Sequence, residues 1–201
     1  MTFTSERYWR ERYALGGHSG VGSQGVFAMF KAEVLNRFVA EQNISSVIEF
    51  GCGDGQQLAL AEYPEYAGVD VSETAVSMCR ERFVHDPSKQ FMLASEYDGE
   101  QADLALSLDV LYHLTEDATF DRYMQTLFAV AAQHVVIYSS NTDEQQPGQP
   151  PHIRHRRFTE WVEANAPEWS LANLIPNRYP YRGDYRTGSW SEFFFYRKSQ
   201  P

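Results

Sequence analysis

Apolar and polar positions along this chain fall into two alternating patterns. Short β-branched runs take turns with stretches in which apolar residues recur every three or four positions. From Val26 onward, Phe27, Phe30, Val34, Phe38 and Val39 follow helical spacing, with Glu33 and Arg37 one turn apart and Asn43 ending the helix. Ser45 and Ser46 lead into a strand over Val47–Phe50. A short helix is predicted over Gln56–Glu62, stopped before Pro64, and a second strand over Tyr66–Val71. Ser72 caps a helix running through Phe83, whose inner face carries Val76, Cys79 and Phe83. Phe91–Leu93 makes a weak third strand. Asp103–Leu108 is nearly all apolar, as a strand buried on both faces should be. Thr115, Glu116 and Asp117 open a long helix with the face Phe120, Tyr123, Met124, Leu127, Phe128 and Ala131. Val135–Ser139 is a fifth strand, and the loop Asn141–Pro151 holds three prolines. A helix over Thr159–Asn165 and strands over Leu171–Ile175 and Glu192–Arg197 complete the pattern.

Strands alternating with helices predict an α/β fold, a doubly wound and mostly parallel sheet with helices on both faces. Seven strands are expected in all. The last two lack an intervening helix and should pair antiparallel. Ahead of this pattern stands an unusual stretch. Tyr8-Trp9-Arg10-Glu11-Arg12-Tyr13 is aromatic and charged, and Gly16, Gly17, Gly20, Gly22 and Gly25 follow, interleaved with Ser19 and Ser23. Such a loop is either a leader or a docking flap, and the aromatics favour the flap.

Composition narrows the classes. With 201 residues, one domain with a core large enough to stand alone is expected. Seventeen Lys and Arg against 27 Asp and Glu give a formal charge of −10. That balance argues against nucleic acid as a partner, because phosphate binding needs a basic face. Cys52 and Cys79 are too few for a disulfide framework or a structural zinc site, and no metal is expected. The first residues lack the pattern of a signal peptide, and no apolar run is long enough to span a membrane. A soluble cytoplasmic protein is expected, of unknown oligomeric state.

The chemistry gathers around Val47-Ile48-Glu49-Phe50-Gly51-Cys52-Gly53-Asp54-Gly55. Glycines can take positive φ and let a ligand lie against the main chain. A strand, a glycine loop and a helix start together bind nucleotides at the carboxyl end of a first strand. Asp70 lies 19 residues after Gly51, at the end of the second strand, where a carboxylate can accept both hydroxyls of a ribose. The spacing Gly-x-Gly-x-Gly differs from the Gly-x-Gly-x-x-Gly of dinucleotide binders, and Glu49 adds a carboxylate at the strand tip.

With these motifs, and with Gly68-Val69-Asp70-Val71-Ser72 and Asp103–Leu114, the chain resembles the class I S-adenosylmethionine-dependent methyltransferases over roughly residues 30–140. The resemblance implies a Rossmann-like seven-stranded sheet with an antiparallel C-terminal strand, and S-adenosylmethionine as cofactor with S-adenosylhomocysteine as product. It implies that Glu49 lies near the methionine ammonium, that Gly51, Cys52 and Gly53 admit the cofactor, and that Asp70 holds the ribose beside Val71. Leu108 and Asp109 would line the methionine side, and Ser95 or Glu96 would meet the adenine. The single domain 1–201 then divides into a flap or leader (1–25), a cofactor-binding core (26–140) and an acceptor-side loop with the C-terminal strands (141–201).

Direct displacement of an activated methyl group needs alignment and exclusion of water, and a base when the acceptor carries a proton. His113, Asp109, His152 and His155 are the candidate bases. Each has a plainer reading: His113 as a turn residue, and His152 and His155 as part of a solvated loop. Arg154, Arg156 and Arg157 flank those two histidines, and the five together could clamp an anionic acceptor. The expected acceptor is small or medium-sized, with anionic metabolites and sugar derivatives as candidates. Two other readings stay open: a NAD-dependent oxidoreductase, which Asp70 would also suit, and a non-catalytic relative that binds the cofactor without turnover.

Overall fold

The computed structural model describes residues 3–199; Met1, Thr2, Gln200 and Pro201, at the outer ends of the expected flap and of the C-terminal segment, lie outside the described residues. The chain begins with a helix the hydropathy pattern did not predict, α1 (Ser5–Ala14). The Thr4 side chain caps it by accepting from Arg7 N, and Glu6 sits in the first turn and Arg12 in the last, each complementing the helix dipole. Helix α2 (Gly25–Glu41) follows and leads into β1 (Ser46–Phe50).

The helix expected over Gln56–Glu62 is only a 3₁₀ turn, Leu58–Leu60. Seven residues ahead of a proline cannot repay the cost of nucleating an α-helix. Strand β2 (Glu65–Asp70), helix α3 (Glu73–Arg82), strand β3 (Lys89–Leu93) and strand β4 (Ala102–Leu108) come next. Helix α4 (Asp117–Val130) passes without a loop into β5 (Ala131–Ser139), which starts four residues earlier than its apolar run suggested. Helix α5 (Phe158–Asn165), strand β6 (Trp169–Ile175) and strand β7 (Glu192–Lys198) complete the chain.

The seven strands form one sheet in the order β3-β2-β1-β4-β5-β7-β6. The first five strands run parallel; β7 is antiparallel to both β5 and β6. Side chains alternate across the sheet and build a core on each face. Ile48, Phe50, Ile137 and Phe194 meet Met124, Leu127, Phe158 and Val162 of α4 and α5 on one face. Val47, Leu104, Leu106 and Phe193 meet Phe30, Leu35, Val76 and Cys79 of α2 and α3 on the other. Among the described residues no helix is long and apolar enough to cross a membrane.

This order fixes the place of the site. Strand order reverses between β1 and β4, so the loops after these strands part and leave a crevice at their carboxyl ends. Phe50 pairs with Val69, which sets Gly51 beside Asp70 across neighbouring strand tips.

Candidate functional site

The crevice opens into a cleft with an empty volume of about 1060 Å³ out to solvent. Its floor is the glycine loop after β1. Gly51, Gly53 and Gly55 have φ of +81°, +60° and +73°. A Cβ on Gly51 would lie 2.5 Å from Val110 Cγ2, and one on Gly53 would lie 2.8 Å from the Tyr13 hydroxyl. The loop is tied to the tip of β2. Gly51 N and Cys52 N donate to Val69 O, and Gly53 N donates to Asp70 Oδ2 at 2.9 Å. Ser72 N donates to Asp70 Oδ1, also at 2.9 Å. Burial raises the Asp70 pKa, and these backbone donors oppose that rise. The carboxylate keeps lone pairs for a ligand's hydroxyl groups.

Glu49 faces the cleft from beneath the loop and is buried. The Tyr66 hydroxyl donates to its Oε2 at 2.7 Å. Burial pushes its pKa up to about 7, against the pull of that hydrogen bond and of the Lys31 charge. The Gln57 side chain also lines the cleft; its Nε2 donates to Ala28 O, while its buried Oε1 has no partner. Acceptor oxygens on Glu49 and Asp70, set around a glycine cradle, fit a ligand that combines an ammonium group with a ribose.

Asp109 stands at the tip of β4 with φ +59°, one of two non-glycine residues with positive φ among the described residues. Its Oδ2 accepts from Lys31 Nζ at 2.7 Å. Its Oδ1 accepts from the Tyr112 hydroxyl at 2.9 Å and the Ser191 hydroxyl at 3.0 Å. Four elements therefore meet on one carboxylate. So engaged, Asp109 organises the cleft and has little freedom to act as a base.

His113 follows in the 3₁₀ turn Leu111–His113. Its Nδ1 lies 3.1 Å from the His152 carbonyl, which can only accept, so in the neutral ring Nδ1 carries the proton and Nε2 keeps its lone pair. Burial lowers the His113 pKa to about 4, so the ring is neutral at physiological pH. His152 lies outside the cleft wall, stacked between His113 and Tyr8 at centroid distances of 5.4 and 4.4 Å. His155 is also outside, buried, with Nδ1 2.7 Å from Ser140 Oγ. Burial lowers the pKa of both rings.

Against the cleft pack α1 and the glycine-rich segment after it, the stretch expected to form a flap or a leader. Ser5, Glu6, Trp9, Tyr13, Ser19 and Ser23 all line the cleft. Ser5 N donates to Glu116 Oε1 at 2.8 Å, and its hydroxyl donates to Oε2 of the same residue. Arg10 Nε donates to Val71 O, Ser19 N donates to Asp54 Oδ2, and Asp54 N donates to Ser19 Oγ. Trp9 meets His113 edge-on at 4.8 Å.

The structure thus brings Glu49, Gly51, Cys52, Gly53, Asp70, Val71, Leu108, Asp109 and His113 to one cleft. Ser95 and Glu96 are exposed and turn away; Ala94 lines the wall in their place, while Glu96 accepts from Leu93 N and pairs with Arg80. The basic cluster has its own partners. Arg154 and Arg156 donate to the Thr115 carbonyl and pair with Asp117, Arg156 also donates to Leu114 O, and Arg157 pairs with Glu160. Arg154 and Arg156 thereby tie down Leu114 and Thr115, just after the turn that carries His113. Lys31, Gln57 and Tyr66 escaped the sequence reading. Lys31 could have been found, because Phe27, Lys31 and Leu35 stand four apart on an otherwise apolar helix face.

A family model described as a methyltransferase domain matches residues 27–178. Among curated proteins none matches the sequence. Among solved structures, the chain is similar to magnesium protoporphyrin IX methyltransferase from Synechocystis PCC 6803 with bound S-adenosylhomocysteine. That match has a TM-score of 0.70 at 15% identity and covers 96% of this chain and 98% of that one. It is similar to N-methyltransferase NodS from Bradyrhizobium japonicum WM9 in complex with S-adenosylhomocysteine, with a TM-score of 0.69 at 12% identity, over 98% and 100% of the two chains. The methyltransferase domain of bacterial CtHen1 matches with a TM-score of 0.66 at 17% identity, over 90% and 100%. At these identities the likeness is one of fold.

Proposed function

Because the chain belongs to this methyltransferase-domain family and is an S-adenosylmethionine-dependent methyltransferase, we propose that it methylates a small or medium-sized acceptor whose nucleophilic atom carries a proton. One observation carries the reading. The His113 ring, neutral and with Nε2 unprotonated, lines the same cleft as Glu49, the glycine loop and Asp70. The bound cofactor supplies a methyl group already activated on a sulfonium, so the chain's residues need only hold, align and dry the reactants.

In this reading Asp70 accepts the ribose hydroxyls, and Glu49 accepts the ammonium. Trp9 and Tyr13 of α1, as a lid, exclude water from above. His113 Nε2 takes the acceptor's proton as the new bond forms, in the manner of general-base catalysis. The acceptor is neutral or sugar-like in this reading. Arg154, Arg156 and Arg157 already have carbonyl or carboxylate partners, which weighs against an anionic one.

The test is transfer of labelled methyl from S-adenosylmethionine to a panel of neutral sugars and polyols, amines, and phosphorylated or carboxylated metabolites. Label should enter neutral acceptors and be lost in His113→Gln. Transfer confined to the anionic set, or full activity in His113→Gln, would overturn it.

A further inference from the structure

Lys31 is the one charged residue among the buried side chains of α2; Phe27, Ala28, Phe30, Ala32, Leu35 and Val39 share its burial and are apolar. It is 1% exposed. Taking an ammonium out of water is costly, so its partners must define what it does there. An ammonium has three N–H donors and no acceptor. One donor goes to Asp109 Oδ2, and the Tyr138 ring lies below Nζ at 5.3 Å. The described residues offer Nζ no second oxygen. Lys31 nevertheless lines the cleft, on the side of β4 and β5 that also bears Asp109 and His113. Asp109 cannot swing away to absorb the remaining donors. Its other oxygen is held by Tyr112 and Ser191, and Gly22 of the glycine-rich segment packs so closely that a Cβ there would lie 2.9 Å from Oδ2.

We propose that Lys31 selects the acceptor by donating a hydrogen bond to its nucleophilic atom, and that the enzyme is therefore an O-methyltransferase acting on hydroxyl compounds. This rests on the methyltransferase reading and on His113 as the proton acceptor. A hydroxyl oxygen has two lone pairs. One accepts from Lys31 while the other forms the O–CH3 bond; the methyl–sulfur bond breaks with its electron pair left on sulfur, and the hydroxyl proton passes to His113 Nε2 and then to solvent. A neutral amine has a single lone pair, which cannot both accept from Lys31 and attack. A protonated amine has none, and the lysine repels it. Lys31 is thus a specificity-determining residue, and Asp109 positions it.

Phenol and aniline are matched probes, equal in shape and both neutral near pH 7. Calorimetry on the full chain saturated with S-adenosylhomocysteine should show phenol binding about tenfold or more tighter than aniline, the span of one hydrogen bond to a charged donor, because phenol keeps an in-plane lone pair to accept from Lys31 while the single pair of aniline is spread into its ring and accepts poorly. Lys31→Met should bring the ratio near one, and Lys31→Arg, which keeps a donor, should retain a preference. A wild-type ratio at or below one, binding of neither probe, or a Lys31→Met variant that keeps the preference would overturn the proposal. Should Lys31→Met fail to fold, the wild-type ratio decides alone. Cofactor binding is read separately. Normal S-adenosylhomocysteine binding with no phenol preference defeats this proposal only, whereas a wild type that binds no S-adenosylhomocysteine defeats the methyltransferase reading as well.

Discussion

Lys31 Nζ and Asp109 Oδ2 lie 2.7 Å apart, joining the middle of the helix before the first strand to the left-handed tip of the fourth. The pair locks the turn that carries Val110 against Gly51 and presents His113 to the cleft. Asp109→Ala would leave a buried ammonium without its counter-charge, and should cost about 3 kcal/mol or more of stability. The double variant Lys31→Met/Asp109→Ala should recover part of that loss, since no unpaired charge remains. Urea denaturation of the two variants measures both effects. A single variant as stable as the wild type would show that the pair does not hold the turn.

Glu49 gives the stability a pH dependence of unusual sign for a carboxylate. Burial holds its pKa at about 7 against an ordinary 4.5, so the folded protein binds a proton there that the unfolded chain has released. The stability tied to this proton is complete below about 4.5 and is lost as pH rises through about 7. Across that window the wild type should lose roughly 3 kcal/mol relative to Glu49→Gln. A ligand ammonium beside Glu49 favours the ionised form, so S-adenosylhomocysteine should bind with proton release, more tightly at the upper end of the window. Calorimetry in buffers of different ionisation enthalpy counts the protons. Uptake in place of release would place the ammonium elsewhere.

His113 should leave its mark on the rate. Its pKa is held near 4 by burial, below the ordinary 6.5, so the acid limb of kcat should fall near pH 4. The folded state resists protonation of this ring, and its contribution to stability is lost as pH drops from about 6.5 to about 4. His113→Gln should lower kcat by about 100-fold or more while leaving S-adenosylhomocysteine affinity near that of the wild type. An acid limb centred near 6.5 in the wild type would exclude the buried ring as the base.

Glu116 anchors the start of α1, accepting from both the amide and the hydroxyl of Ser5. Glu116→Ala should free α1 from its seat and weaken S-adenosylhomocysteine binding by about tenfold. Limited proteolysis between Leu15 and Gly20 should speed up in the variant and slow down when the ligand is added to the wild type. Ligand-independent cleavage there would make the segment a leader and not a lid.

Much of this could be read from the residues alone. The seven strands and the antiparallel end followed from apolar runs with and without helices between them. Glu49, the glycines and Asp70 stood out because nucleotide binding demands those residue types at strand tips. What escaped depended on tertiary contact. Helix α1 has scant apolar periodicity and is held by Glu116 and Val71, and the segment after it by Asp54, all from distant parts of the chain. The partners of Arg154 and Arg156 are carbonyls and a carboxylate some forty residues away, which no local pattern announces. Ala94 takes the place expected of Ser95 or Glu96 because β3 ends with Ala94 N donating to Asp70 O, which turns the two polar side chains outward.

If this cleft binds the methyl donor through Asp70, Glu49 and the glycine loop, donor affinity should depend on the Asp70 carboxylate. Titration calorimetry of S-adenosylhomocysteine and of NAD against the wild type and Asp70→Ala tests it most directly. One-to-one binding of S-adenosylhomocysteine by the wild type, weakened in Asp70→Ala and with no heat from NAD, is the result expected. Tight binding of NAD with no response to S-adenosylhomocysteine would show that the cleft takes a dinucleotide and not the methyl donor.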